Sequence, residues 1–253
     1  MPRSVILFAF AAFMVGLGTT RAQDELGARM SQERIGDVRP GTYSAGDQLK
    51  FTLTHYLDHY LLRFLGDSEI YVLNVDHGSL GGRVLKYDSG ATALQVSGWS
   101  AITLYTDNQP SGVPAERTGD AILPTVAPIS LADMQRAAAD EADHLAYAHG
   151  VHLSFIAEWP VLAGDAAMRA FAFDALQNAA RGIDRFARSA AARAALAARV
   201  GSVQLQAGTR PVVTLRGRIL NIIFNPAQGF SGRASSRAIA NALSEILAVP
   251  TVN

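Results

Sequence analysis

Apolar and polar residues alternate in short runs between residues 48 and 106, a pattern typical of β-strands. The runs LKFTLTHYL, EIYVLNV and AITLYTD are rich in β-branched and aromatic residues, and glycine or aspartate separates most of the runs. The stretch YDSGATALQV predicts a hairpin whose turn includes Gly90, since glycine readily adopts a positive φ. We predict an antiparallel sheet or a small sandwich, although the first run also fits a helical turn or more through Phe51 and His55.

The second half of the chain alternates between helical and strand patterns in the order α-β-α-β-β-β-α. Ser130 predicts a helix N-terminus and Gly150 its end, and Ser189 predicts a new start within a long alanine-rich helix. The runs SVQLQAG, RPVVTLRG and RILNIIFNP predict three strands before a closing helix that is capped by Ser235 or Ser236. We therefore predict an α+β fold, with a β-rich antiparallel N-terminal half and with helices on one face of a mostly antiparallel sheet in the C-terminal half.

Two segments without apolar periodicity separate these regions. Residues 23–47 are polar and glycine-rich and predict a flexible lead-in. Residues 107–128 contain four prolines and predict either a linker between domains or a strap within one. The β-rich region then spans 48–106 and the α+β region spans 129–253, and the two form either one unit or two domains.

The first 22 residues have the pattern of a secretory signal peptide. Arg3 precedes an apolar run from Val5 to Gly18, and Thr20 and Ala22 are the small residues of a cleavage site. The run is shorter than the roughly 20 residues that a membrane span needs, and an uncleaved anchor is the alternative. We expect cleavage near Ala22 and a periplasmic or secreted protein whose mature chain has no transmembrane span.

Composition narrows the possible chemistry. The chain has no cysteine, which excludes disulfides, thiol catalysis, cysteine-based zinc sites and iron–sulfur clusters. Its 22 basic and 22 acidic residues balance, whereas a protein that binds nucleic acid usually has a marked basic excess. We therefore expect no nucleic-acid partner. The charge is uneven, because residues 23–127 carry 8 basic and 13 acidic side chains whereas residues 128–253 carry 12 and 9.

The stretch DEADHLAYAHGVH, at residues 140–152, concentrates carboxylates and histidines. Helical phase places Asp140 and His144 four residues apart on one face of the first helix, where they form the weak candidate for a metal or acid–base site. That face is the polar one, and a metal needs three or four ligands. His149 falls near the helix C-terminus, where a protonated imidazole suits the helix dipole. A solvated face with a C-terminal histidine is the structural alternative, and we assign no catalytic residue, metal or cofactor.

A second histidine pair lies in THYLDHY, where His55 and His59 have the H-x-x-x-H spacing of zinc proteases. The glutamate that should follow the first histidine is absent, because position 56 is Tyr56. The stretch GFSG similarly departs from the serine-hydrolase motif G-x-S-x-G, because Arg233 replaces the last glycine. Neither motif identifies an enzyme.

Three arginines follow one face of the long alanine-rich helix, at Arg181, Arg185 and Arg188. A basic stripe of this kind fits an anionic ligand, such as a lipid head group or a sugar acid, or a protein partner, or the acidic N-terminal half of the same chain. The structural alternative is a solvated face, which is the usual partner of an apolar stripe on an amphipathic helix.

Two long stretches carry a family likeness. One begins YLLRFLGDSEIYVLNVDHGSLGG, and the other includes PISLADMQRAAADEADHLAYAHGVHLSF and RPVVTLRGRILNIIFNPAQGFSGR. Together they resemble a family of exported bacterial proteins, about as long as this chain, that is classed only as a domain of unknown function. The resemblance covers most of residues 50–240 and implies export and a single unit made of both halves. It implies no activity, ligand or catalytic residue.

From these observations we expect a soluble exported protein with a non-enzymatic binding or structural role in the cell envelope. One alternative is an envelope hydrolase that uses carboxylates or a metal centre drawn from Asp140, His144, His55 or His59. Another alternative is an inhibitor or chaperone-like partner of an envelope protein.

Overall fold

The structure, a computed structural model, describes residues 38–250. Its first half is a closed antiparallel barrel in which each strand pairs with the next and the eighth pairs with the first. The predicted signal peptide at 1–22 and the lead-in up to residue 37 lie outside the described residues. The strands are β1 (Gly41–Ala45), β2 (Leu49–Tyr56), β3 (His59–Phe64), β4 (Tyr71–His77), β5 (Arg83–Tyr87), β6 (Thr92–Val96), β7 (Ile102–Thr106) and β8 (Gln109–Gly119).

Side chains fill the interior of the barrel. Every second residue of a strand points to the same face, and the inward set includes Tyr43, Phe51, Leu53, Leu85 and Leu104, each at most 2% exposed. The rings of Tyr43 and Phe51 stack with their centroids 5.2 Å apart. Since an eight-stranded barrel is just wide enough for side chains, this packed interior is a core and not a ligand cavity.

The predicted antiparallel pairing is confirmed for this half. The predicted hairpin forms from β5 and β6, and Gly90 in its turn has a φ of +84°. The sheet closes into a barrel instead of a sandwich. The alternative of a helical turn through Phe51 and His55 is wrong, because both residues belong to β2.

Two predicted irregular segments contain strands. β1 lies within the predicted lead-in at 23–47, and β8 takes up half of the segment at 107–128 that was predicted as a linker or strap. The β8 sequence resembles a loop because it is polar, includes two prolines and packs only Val113 and Ala115 against the core. Its backbone still pairs with β1 on one side and β7 on the other, so hydrogen bonding rather than burial defines this strand.

The second half packs helices against a four-stranded sheet of order β11-β12-β10-β9. Its core is formed by alanine, leucine, isoleucine and phenylalanine from every helix and from the sheet. The elements are α1 (Leu131–His149), β9 (Ser154–Ala157), α2 (Trp159–Gly164), α3 (Ala166–Phe186), α4 (Ala190–Arg199), β10 (Ser202–Ala207), β11 (Val212–Arg216), β12 (Ile219–Phe224) and α5 (Ser236–Leu247).

The prediction of a mostly antiparallel sheet is wrong for this half. β10 runs parallel to both β9 and β12, and only the β11–β12 hairpin is antiparallel. Three helices connect β9 to β10. A connection of this length can carry the chain back to the end of the sheet at which β9 begins, so that β10 runs in the same direction as β9. β12 then inserts between β10 and β11, with the direction of β10. The short helix α2, which the predicted order of elements does not contain, begins at Trp159.

The predicted helix ends are confirmed. The side chains of Ser130, Ser189 and Ser235 each accept a hydrogen bond from a backbone amide three residues further on, which is the usual N-cap contact. Gly150 ends α1 in the left-handed conformation, with a φ of +65°. Within residues 38–250, no helix combines the length and the hydropathy that crossing a membrane requires.

Helices α3 and α5 pack closely at Gly182. A Cβ atom on Gly182 would lie 2.7 Å from the Cβ and Cγ2 atoms of Ile239, so Gly182→Ala overpacks a buried contact. We expect this substitution to lower the free energy of unfolding by about 1–3 kcal/mol, measured by urea denaturation. The matched control is Gly164→Ala at the end of α2, where nothing lies within 4 Å of the added atom. A Gly182→Ala variant as stable as that control would contradict the close packing.

Candidate binding groove

One end of the barrel docks on the N-terminus of α5. The turn after β5 supplies Asp88, whose carboxylate accepts hydrogen bonds from the backbone N–H and the hydroxyl of Ser235. The carboxylate of Glu69, just before β4, likewise accepts hydrogen bonds from the backbone N–H of Ser236, at 2.8 Å, and from its hydroxyl, at 2.7 Å. The first amides of a helix have no partner within the helix and carry partial positive charge. Two carboxylates of the barrel therefore satisfy the N-terminus of a helix from the other half.

Glu69 is buried, with 1% of its surface exposed. Burial raises the pKa of its carboxyl above the ordinary range, although hydrogen bonds from Ser236 and Tyr71 oppose this shift. Burial, together with the charge of Glu69, also raises the pKa of Tyr71. The tyrosine hydroxyl thus stays protonated and can donate to the carboxylate.

Arg233 joins both halves of the molecule. Its guanidinium forms an ion pair with Asp174 on α3 and donates to the carbonyl oxygens of Phe230, at 2.8 Å, and of Ile70 in the barrel, at 3.3 Å. Only 3% of the Arg233 side chain is exposed. This arginine occupies the position at which the sequence departs from the hydrolase motif, and its contacts are structural.

Three arginines converge beside this contact, at the turn between β7 and β8. Asp107 in that turn pairs with Arg185 of α3 and, at 2.7 Å, with Arg237 of α5. The Arg237 guanidinium also lies 4.3 Å from the ring centroid of Tyr87, a cation–π distance. Arg188 is exposed, and its guanidinium has no hydrogen bond or ion pair with any residue from 38 to 250.

The environment of Arg185 favours its charged form. Burial alone would lower the pKa of its guanidinium, but the nearby Asp107, Tyr71 and Glu69 raise the pKa overall. The Nε atom of Arg185 is buried and has no hydrogen-bond partner in the described part of the chain. For the neighbouring Tyr87, burial itself raises the pKa to about 12, so this phenol is neutral at physiological pH.

These arginines line two adjoining cavities. The first, which we call the groove, has a volume of about 940 Å³ and is bounded by Arg185, Arg188, Arg237 and a single carboxylate, Asp107. The second, of about 620 Å³, shares these four residues but adds two further carboxylates from Asp47 and Asp67. The formal charge of the lining is therefore +2 in the groove and zero in the second cavity, and the groove is the side that attracts anions.

The arginine stripe predicted on the long helix is divided among different partners. Arg181 donates to the hydroxyl of Ser68 and to the side chain of Asn178. Arg185 forms an ion pair with Asp107 of the N-terminal half. For this arginine, the partner is therefore the acidic half of the same chain, which was one of the predicted possibilities. Arg188 alone is free to contact an external ligand. The face is mostly covered by the barrel rim instead of lying open to solvent.

The predicted pair Asp140 and His144 lies on the exposed face of α1. His144 approaches Asp184 of α3 at 3.7 Å, and His149 binds the same carboxylate oxygen at 2.8 Å. The nearest charged partner of His144 is therefore on another helix, and His149 uses its ring to link α1 to α3. Among residues 38–250, no group of three or more histidines and carboxylates is arranged to hold a metal ion.

The second histidine pair occupies two facing strands. His55 lies on β2 opposite Tyr60, and its ring meets that of Tyr60 edge-on at 5.3 Å. His59 begins β3 and lines a separate cavity of about 350 Å³ together with Ser231. The H-x-x-x-H spacing belongs to a hairpin, so it lacks the helical geometry in which two histidines four residues apart bind one zinc ion.

Sequence reasoning missed two of the charged residues that line the groove, Asp107 and Arg237. Asp107 lies in the segment predicted as a linker, and Arg237 lies in the first turn of α5, where no periodic pattern separates it from other polar residues. The signal that was available is weak: an isolated aspartate in a turn and an arginine two residues after a helix N-cap.

Comparison with known proteins gives a family without an assigned activity. The family model described as "Domain of unknown function (DUF4908)" matches residues 22–243. No curated protein and no solved structure matches the chain. The match confirms the resemblance to a domain of unknown function and covers both halves of the molecule.

Proposed function

The chain belongs to the DUF4908 family, and for this chain we propose a non-enzymatic role, the binding of an anionic ligand in the groove between the barrel and helices α3 and α5. The observation that carries the proposal is that Arg185, Arg188 and Arg237 line one groove, in which Asp107 pairs with Arg185 and Arg237 and leaves Arg188 unpaired among residues 38–250. The signal-peptide pattern of residues 1–22 supports placing this role in the periplasm or outside the cell. Recovery of the processed protein with Gln23 as its first residue would test that location.

The arrangement suits anion binding because two of the arginines are already held in place. Asp107 and the Tyr87 ring orient Arg237, and Asp107 orients Arg185. A ligand that meets oriented guanidinium groups loses less of its binding energy to the ordering of side chains. Guanidinium groups also match the planar shape of carboxylates and phosphates and bind them through paired hydrogen bonds.

Binding is a better proposal than catalysis for this groove. Its single carboxylate, Asp107, is engaged by two arginines, so it is a poor general base. Among residues 38–250, no histidine lines the groove. The free group is Arg188, an exposed cation at the edge, and its chemistry is recognition of negative charge.

Substitution of Arg188 tests the proposal. We expect Arg188→Gln to weaken the binding of inorganic phosphate and of citrate about tenfold, which corresponds to about 1.4 kcal/mol, because a charge-assisted hydrogen bond contributes about 1.5–3 kcal/mol. The measurement is isothermal titration calorimetry at low ionic strength, where charge interactions are least screened.

The matched control is Arg216→Gln, which removes an exposed arginine at the end of β11, outside the groove. We expect this variant to bind both anions as the wild type does. The proposal fails if the wild type binds neither anion, or if the Arg188 and Arg216 variants lose affinity equally.

A further inference from the structure

Apart from Asp107 and the three arginines, most of the groove lining is polar but uncharged, and we call this part the polar wall. It is formed by strands β6 and β7 and by the first residues after β5, with a contribution from α5. Its side chains carry hydroxyl or amide groups: Ser89, Thr92, Gln95, Tyr105, Thr106 and Asn241. The apolar residues of the lining are small or short, namely Val84, Ala91, Pro110 and Ala240.

This wall offers donors and acceptors together. The Tyr105 hydroxyl donates to Oε1 of Gln95 at 2.9 Å, which leaves the amide N–H groups of Gln95 and the lone pairs of Tyr105 available. The hydroxyl of Ser89 is buried and has no hydrogen-bond partner among residues 38–250. A ligand hydroxyl is itself both donor and acceptor, so a row of mixed groups of this kind complements a polyhydroxylated molecule.

Other classes of anion fit the groove less well. An anion with an alkyl tail needs the apolar walls that usually enclose such ligands, and this lining has only four short apolar side chains. A small anion such as phosphate would use the arginines and leave the polar wall unused. The groove volume of about 940 Å³ lies near the upper end of the range of about 300–1,000 Å³ for ligand pockets, which is room for more than one sugar ring.

From the arginines and the polar wall together, and resting on the proposed anion-binding function, we propose that the ligand is an acidic saccharide of two or more rings. Its carboxylate binds at Arg188, next to the arginine pair on Asp107, and its ring hydroxyls bind along the wall that contains Gln95 and Tyr105. The arginines supply attraction for the charge, and the hydroxyl and amide wall supplies selectivity for a sugar.

Calorimetry with four probes tests the inference: a uronic acid disaccharide, its neutral methyl ester, citrate and a nucleoside monophosphate. We expect the disaccharide to bind at least tenfold more tightly than each of the other three. Gln95→Met, which removes the amide at nearly constant volume, is expected to lower that preference at least fivefold and to leave citrate binding unchanged. Gln206→Met on β10 makes the same chemical change outside the groove and should alter neither affinity.

The outcomes separate the two proposals. If no probe binds, anion binding and the saccharide inference both fail. If citrate binds as tightly as the disaccharide, or the nucleotide or the neutral ester binds as tightly or more so, the groove binds ligands but the acidic saccharide is the wrong class. A disaccharide preference that survives Gln95→Met also overturns the inference, because the wall would then contribute nothing to selectivity.

Discussion

Replacing Arg233 by methionine is expected to lower the free energy of unfolding by about 3–5 kcal/mol, the range for breaking a buried ion pair from one side. Methionine occupies a similar volume, so the loss is electrostatic and not a cavity effect. The substitution leaves Asp174 without its partner and removes the donors to the carbonyl oxygens of Phe230 and Ile70. A buried acceptor that loses its hydrogen bond costs about 1–3 kcal/mol.

Urea denaturation, followed by circular dichroism and by tryptophan fluorescence, measures this effect. We expect Arg233→Met/Asp174→Asn to recover part of the loss, because it removes the unpaired charge. Arg216→Met is the matched control at an exposed site and should change the stability by less than about 0.5 kcal/mol. A loss below about 1 kcal/mol for Arg233→Met would mean that the buried contacts of this arginine are not made.

The same substitution tests whether the two halves unfold together. Arg233 contacts the barrel through Ile70 and the helical half through Asp174. We expect a single transition for the wild type. In Arg233→Met, the loss of this coupling should divide the urea unfolding curve into two transitions, because a single transition is the mark of cooperative two-state unfolding.

Local rules predicted local features of this fold well. The N-caps at Ser130 and Ser189, the left-handed glycine at Gly150 and the β5–β6 hairpin depend on residues that are close in the sequence. The sequence did not predict β8, because this strand forms through backbone pairing with its neighbours and its own residues make almost no apolar face. The direction of β10 relative to β9 likewise depends on the helices between them, and not on the sequence of either strand.

The candidate site was harder to predict because it is assembled from distant parts of the chain. Helical phase correctly placed Arg181 and Arg185 on one helix, whereas Arg188 lies in the turn just past the last helical residue, Phe186. The polar face of an amphipathic helix is also not always the solvent-exposed face. The barrel rim covers most of this one, and Asn178 on the same face is fully buried, donating to the carbonyl oxygen of Ala234. The partner of Arg185 is Asp107, 78 residues away, and no periodic pattern connects the two.

Glu69 makes the second large contribution to the contact between the halves. Glu69→Ala is expected to lower the free energy of unfolding by about 2–4 kcal/mol, because the buried N–H and hydroxyl of Ser236 lose their acceptor. Glu69→Gln should retain most of the stability, since the amide oxygen can accept from the Ser236 N–H while the amide nitrogen donates to its hydroxyl. Urea titrations of the two variants at one pH measure the difference.

The pH dependence separates the charge of Glu69 from its hydrogen bonds. Burial raises the pKa of Glu69 above its ordinary value of 4.5, so between 4.5 and the raised pKa the folded state holds a proton that the unfolded state has released. The stability that Glu69 contributes is therefore fully present below pH 4.5 and declines as the pH rises through that window. Because Glu69→Gln cannot titrate, its stability relative to the wild type is expected to rise across the same window and then level off. A difference that stays flat from pH 4 to pH 8, or falls, would show that the buried carboxyl ionises in the folded protein at least as readily as in water.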